Sequence, residues 1–230
     1  MDIVLYFYKI ILTGNCENTE YAMKEFLFLG DSITDCDHSF DKENLGNGYV
    51  RIISENLYSR SSEIKIKNMG RDGFTIPAVN RLWNLCCKKT TPCTITILIG
   101  INDVSIMKCS SLPLEISLRE FQKNYESLLE TIKTDSDCPI LLLEPFIFSH
   151  PEEYASWEPL VHQISSIIQN IAKSHNISFL PLWDKLNIAA KRYGFNAVTT
   201  DGIHLTVKGH QIIAKSWLEW YAHQSSVKNK

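Results

Sequence analysis

The sequence predicts an α/β domain of three layers, α/β/α, built on a five-stranded parallel sheet. Five short apolar segments read as strands: Phe26–Leu29, Glu63–Lys67, Pro92–Ile99, Pro139–Leu143 and Ile177–Leu180. Amphipathic segments with apolar residues at helical spacing separate them, and strand follows helix at intervals of roughly 30–45 residues, as in right-handed βαβ units. The first, third and fourth strands carry near-continuous apolar runs, as strands covered on both faces do.

In the first strand, Phe26-Leu27-Phe28-Leu29 contains no turn former, and Gly30 is expected to end it by taking backbone angles closed to other residues. Cys36–Asn47 is a polar loop. The spacing of Asp35, Asp37 and Asp41 loosely suggests a calcium loop, but Phe40 stands where the sharp turn needs glycine, so a solvated loop bordering a pocket is the reading. Val50, Ile53 and Leu57 then mark a helix over Tyr49–Leu57.

The second strand, Glu63–Lys67, runs into Asn68–Thr75, where two glycines mark a tight loop. Thr75 is the expected N-cap of the next helix and Pro77 suits its first turn. Val79, Leu82, Trp83 and Cys86 form the helix's apolar face. The third strand is β-branched and ends in Gly100-Ile101-Asn102-Asp103. Met107–Leu114 is expected to be a mobile connection, followed by a helix over Glu115–Lys133 with Leu118, Phe121, Tyr125, Leu128, Leu129 and Ile132 inward.

After the fourth strand, Phe146–Pro159 is an aromatic loop. Its Phe148, Tyr154 and Trp157 could build an acyl channel, stack on sugar rings or simply cover the sheet edge. Leu160, Ile164, Ile167, Ile168 and Ile171 mark a helix, and Leu182–Tyr193 another, with Gly194 as C-cap. Phe195–Ile203 reads as a loop. Thr206 caps a last helix carrying Ile212, Ile213, Trp217, Leu218 and Tyr221.

The 230 residues fit one domain, expected over 23–224, with a polar tail at 225–230. Residues 1–22 read as a dispensable extension or as an ambiguity of the start site, Met23 being a natural start directly before the first strand. Ile3–Leu12 is too short for a membrane helix and lacks the basic flank and cleavage site of a signal peptide. No integral membrane segment is expected. A formal net charge of −3 gives nucleic acid no attraction. Seven cysteines, an odd number with no C-x-x-C, argue for free thiols and a reducing compartment. Cytoplasmic residence is therefore the expectation, with secretion left open by residues 1–22. Self-association is left open too.

Chemistry converges on one sheet edge. Gly30-Asp31-Ser32, Asn68–Gly73 and Gly100–Asp103 each follow a strand, and in a parallel sheet these loops share one side. Asp201-Gly202-Ile203-His204, just before the last helix, can reach it. Taken singly, Ser32 is a turn hydroxyl, Gly73 a turn glycine, Asn102 a cap, and His204 one of seven histidines. Together they complete a reaction. A serine hydroxyl attacks poorly unless a base takes its proton, and His204 is the candidate base for Ser32. Asp201 can orient the imidazole. The Ser32 and Gly73 backbone N–H groups and the Asn102 amide can hold an oxyanion.

These four blocks resemble the GDSL, or SGNH, hydrolase family. Gly30-Asp31-Ser32-Ile33, Asn68-x-Gly70-x-x-Gly73-x-Thr75, Gly100-x-Asn102-Asp103 and Asp201-x-x-His204 stand in family order and span nearly the whole domain. The resemblance implies a flavodoxin-like three-layer fold, a serine esterase with catalytic Ser32, His204 and Asp201, and an oxyanion hole of Ser32, Gly73 and Asn102. The opening Gly-Asp-Ser-Ile-Thr-Asp and Leu45–Val50 are similar to a bacterial esterase-like branch that includes enzymes deacetylating plant-wall carbohydrates. The implied substrate is a small-molecule carboxylic ester, short-chain acyl on a carbohydrate or small alcohol. No cofactor is implied, and no metal-ligand spacing such as H-E-x-x-H occurs.

One departure is Arg71-Asp72, where the family usually has small or apolar residues; it is expected to bring charge near the oxyanion side. Alternatives stay open. A lipase or thioesterase would want an apolar acyl channel, and an acyltransferase would pass the acyl group to an alcohol. A silent carbohydrate-binding member would keep the fold. A flavodoxin-like module would cradle a phosphate at Ser32 and Thr34, which Asp31, Asp35 and Asp37 oppose.

Overall fold

The computed structural model describes residues 23–88 and 92–228. The extension expected at 1–22 lies outside them. Strand β1 spans Lys24–Gly30, β2 Ile64–Asn68, β3 Thr94–Leu98, β4 Ile140–Leu143 and β5 Ser178–Leu180. They form one sheet in the order β2-β1-β3-β4-β5, with every pairing parallel. The helices are α1 (Ser32–Asp35), α2 (Tyr49–Tyr58), α3 (Ile76–Leu82), α4 (Ile101–Cys109), α5 (Leu114–Asp135), α6 (Glu158–Ser174), α7 (Trp183–Tyr193), α8 (Phe195–Val198) and α9 (Val207–Lys228).

Strand residues alternate between two cores, because successive side chains leave a strand on opposite faces. Phe26, Phe28, Leu141 and Leu143 join α2, α7 and α9 on one face. Leu27, Leu29, Ile95, Ile97, Ile140 and Leu142 join α3, α5 and α6 on the other. Trp217 of α9 stacks on Tyr221, packs against Phe26 and Phe28, and donates its indole N–H to Thr96 Oγ1 at 2.9 Å. That bond lets a fully buried tryptophan satisfy its one donor.

The elements depart from the sequence reading in six places. Gly30 does not take a left-handed conformation; a Cβ there would overlap the Thr34 side chain and the Leu98 carbonyl, so the requirement is close approach. Thr75 holds the N-cap position of α3 without a side-chain cap bond. A π-helical turn over Trp83–Cys87 extends α3, and its wider turn buries Cys87 and exposes Cys86. Met107 to Cys109, expected to be mobile, complete α4. Phe195–Val198, expected to be loop, is helix α8. Helix α9 also runs four residues into the expected tail.

Candidate active site

The chain leaves β1 for β2 on one side, then returns through β3 on the other, so the carboxyl ends of β1 and β3 open a crevice between their outgoing loops. Gly30 and Leu98 are register partners there. The loop after β1 carries Ser32 and the loop after β3 carries Asn102.

Ser32 is the first residue of α1. Asp31, extended and 1% exposed, caps this one-turn helix by accepting the Ile33 N–H at 3.0 Å. Burial pushes the Asp31 carboxyl up to about 7, against the pull of that N–H bond. Asn68, at the end of β2, donates to the Thr34 and Leu45 carbonyls and accepts the Gly70 N–H. It thereby ties the turn after β2 to the turn carrying Ser32.

Ser32 Oγ lies 2.9 Å from His204 Nε2. His204 Nδ1 lies 2.6 Å from Asp201 Oδ2. Asp201 uses its other oxygen, Oδ1, to accept the backbone N–H groups of Ile203 and His204 at 2.9 and 2.7 Å. One carboxylate therefore shapes the turn and orients the ring it carries. Partial burial works against its charge, but these bonds outweigh it and hold the Asp201 carboxyl below its usual range. A carboxylate accepts only, so Nδ1 carries the proton and Nε2 is free to accept from the serine hydroxyl. Serine, imidazole and carboxylate in this chain can move a proton from Oγ to Nε2 as Oγ forms a bond.

Gly73 takes φ +69°, and a Cβ there would meet nothing within 4 Å. The left-handed backbone, and no neighbouring atom, is what favours glycine. Asn102 donates its side-chain N–H to the Phe74 carbonyl at 2.9 Å. Its neighbour Asp103 accepts the Ile76 N–H through both oxygens, at 3.4 and 3.3 Å. Adjacent residues after β3 thus grip the Gly73–Ile76 turn at two points. Asp103 also supplies the helix cap that Thr75 does not. Burial pushes the Asp103 carboxyl up to about 7, with the charge of Asp31 adding to the rise.

A cavity of about 510 Å³ opens over Ser32 and His204, with Asp35, Asp37, Phe40 and Asp72 along one wall. His210, buried, also lines it. It accepts the Tyr49 N–H at Nδ1 and faces Cys36 Sγ at 3.6 Å through Nε2. Burial pulls its pKa down to about 4.

Of the residues named from sequence, the structure brings Ser32, His204 and Asp201 into direct contact, and ties Asn102 to the turn carrying Gly73. Arg71 does not turn toward that turn. It donates to His38 Nε2 and Ser39 Oγ, across the loop after β1. Phe148 is fully buried against Phe146 and Phe195, so it lines no channel. The grip of Asp103, the cap of Asp31 and the Arg71–His38 contact escape a reading by motif. For the first two the signal was present, as an acidic residue beside each motif's functional residue.

The sequence model of the GDSL-like lipase/acylhydrolase family matches residues 28–212. An acetylxylan esterase from Geobacillus stearothermophilus is 27% identical over 208 residues, covering 85% of this chain and 92% of that protein. A crystal structure of the acetylxylan esterase Axe2 from the same organism superposes with a TM-score of 0.72 at 28% identity, covering 85% of this chain and 93% of that one. A GDSL-like lipase candidate from Parabacteroides merdae shares the fold at 24% identity, with a TM-score of 0.76 over 86% of this chain and 94% of its own.

Proposed function

The chain belongs to the GDSL-like lipase/acylhydrolase family, and from that premise we propose that this esterase cleaves short-chain acyl, principally acetyl, esters of carbohydrates or small alcohols through an acyl-enzyme on Ser32. The observation that carries this reading is the unbroken contact from Ser32 Oγ through His204 to Asp201.

Ser32 gives its proton to His204 Nε2 as Oγ bonds to the ester carbonyl carbon. The carbonyl electron pair moves to oxygen, and the Ser32 and Gly73 N–H groups with the Asn102 amide hold that oxyanion. Asn102 has a second amide hydrogen for this, since only one goes to Phe74. Collapse expels the alcohol oxygen, which takes the proton from Nε2. Water then gives a proton to His204 and attacks the acyl carbon, and the acid departs as Ser32 regains its proton. Asp201 steadies the imidazolium in both halves.

Two observations support a small acyl group on a sugar. Phe148, one of the three loop aromatics that could have lined an apolar acyl channel, is core. The chain also resembles the acetylxylan esterase over nearly all of that protein's length. An ester panel tests the reading. Acetylated sugars and aryl acetates should be cleaved, with kcat/KM falling as the acyl chain lengthens. Preference for long-chain lipid or thioester substrates would overturn it.

A further inference from the structure

The cavity beside the nucleophile has sides that the chemistry distinguishes. The carbonyl oxygen of a substrate must face Gly73 and Asn102. The alcohol must face His204, which returns the proton to it. Ser32 and His204 line the 510 Å³ cavity together with Asp35, Asp37, Ser39, Phe40 and Asp72. That cavity is therefore the leaving-group side.

Its wall is a segment with two strained residues and a short 3-10 turn, His38–Phe40, whose own bonds run from the Phe40 N–H to the Asp37 carbonyl and from the Asp41 N–H to the His38 carbonyl. Cys36 and Asp37 both take left-handed backbone angles, φ 42° and 64°, a conformation that neither residue adopts without cost. A further hold comes from the loop after β2. Arg71 donates through one nitrogen to His38 Nε2 at 2.6 Å and to Ser39 Oγ at 2.8 Å. A guanidinium only donates, so Nε2 accepts and the His38 proton sits on Nδ1, 2.6 Å from Asp35 Oδ1. His38 is thus a neutral link, 3% exposed, between a cation and a carboxylate. Asp35 Oδ2 accepts the Asp72 N–H at 3.1 Å, closing the ring back onto the residue after Arg71. Phe40 is left 92% exposed, its ring bare.

With Arg71 spent on His38 and Ser39, the charged side chains lining this wall are the carboxylates of Asp35, Asp37 and Asp72. Carboxylates accept from sugar hydroxyls, and a bare aromatic ring offers a face to a sugar's C–H face. They also repel an anion. We propose that Arg71 is a specificity-determining positioning residue: through His38 and Ser39 it holds residues 35–40 as the leaving-group wall, which takes an uncharged polyhydroxylated alcohol and rejects an anionic one. This rests on the esterase reading above. It assigns a role to the two residues at which this chain departs from its family's usual pattern.

The test compares kcat/KM on 4-nitrophenyl acetate, an O-acetylated methyl glucoside and the matching O-acetylated methyl glucuronide, which adds one carboxylate. Each cavity carboxylate about 6 Å from a bound anion is worth about threefold across water, so the parent should favour glucoside over glucuronide by about tenfold or more. Asp37→Asn with Asp72→Asn should bring that ratio toward one, through KM. Arg71→Met should lower the glucoside-to-aryl-acetate ratio by about fivefold or more through KM, and Arg71→Lys, whose ammonium can serve the same acceptors, should recover part of it. Phe40→Ala, at a fully exposed side chain, should lower the same ratio even if Arg71→Met does not fold. Equal parent rates on glucoside and glucuronide overturn the proposal, and so do an unchanged ratio in Phe40→Ala or a parallel fall in kcat on both neutral esters in Arg71→Met. A parent that cleaves none of the three esters overturns the esterase reading with it; cleavage of aryl acetate without discrimination overturns the wall alone.

Discussion

The side-chain amide of Asn102 donates to the carbonyl of Phe74 at 2.9 Å. This bond takes one of the amide's two hydrogens, and in the proposed mechanism the other serves the oxyanion. Such a donor matters most when charge has developed on the substrate oxygen. Asn102→Ala is therefore expected to lower kcat by about 10²–10³-fold while KM changes little. Steady-state kinetics on an aryl acetate read this directly. A raised KM with kcat intact would take Asn102 out of the oxyanion role.

In the proposed mechanism Ser32 and His204, 2.9 Å apart, share one proton-transfer step, so their losses should not add. Ser32→Ala, His204→Ala and the double variant are each expected to fall to a similar floor, about 10⁴-fold or more below the parent. Asp201→Asn should fall almost as far, since an amide can hold the ring with the proton on the wrong nitrogen. Full activity in Ser32→Ala would remove the proposed nucleophile. Multiplicative losses in the double variant would show that the two do not share a step.

The strands and paired loops were legible because they depend on local patterns: apolar runs, glycine turns and polar residues at strand ends. Ser32, Asp201 and His204 could be named from their motifs, and the structure brings them into contact. Contacts between distant segments were less legible. Arg71 and His38 are 33 residues apart, and no periodicity links them. Nor does apolar spacing alone reveal that one π-helical turn will bury Cys87 in place of Cys86. Phe148 shows the opposite error: an aromatic residue in a loop suggests a ligand contact, yet the loop folds inward and makes it core.

Gly73 offers a clean separation of backbone strain from crowding. Its φ of +69° is unfavourable for any residue with a Cβ, while a Cβ would find open space. Gly73→Ala should therefore cost only the intrinsic penalty, about 1–2 kcal/mol, in urea unfolding. If the turn relaxes to relieve that strain, its N–H turns away from the oxyanion position and kcat falls, with KM little changed. A stability loss well above this range would mean that the open space is filled by something the side chain displaces.

Two buried carboxyls make stability depend on pH in a direction that can be worked out. Burial raises Asp31 and Asp103 from an ordinary value of 3.8 to about 7 in the folded chain. Between about pH 4 and 7 the folded state therefore binds more protons than the unfolded state, and stability falls as pH rises through that window. His210 works the other way: burial lowers it from 6.5 to about 4, so its contribution is complete above 6.5 and is lost as pH falls toward 4. Two acids outweigh one histidine by about one proton in the shared window, and one proton is worth about 1.4 kcal/mol per pH unit. Urea unfolding should thus give a free energy about 2–3 kcal/mol higher at pH 5.5 than at pH 7.5. Asp31→Asn and Asp103→Asn should each remove about three-quarters of that difference, because one remaining acid is then nearly cancelled by His210. A curve that is level or rising between those pH values would show that the two carboxyls are ionised throughout it.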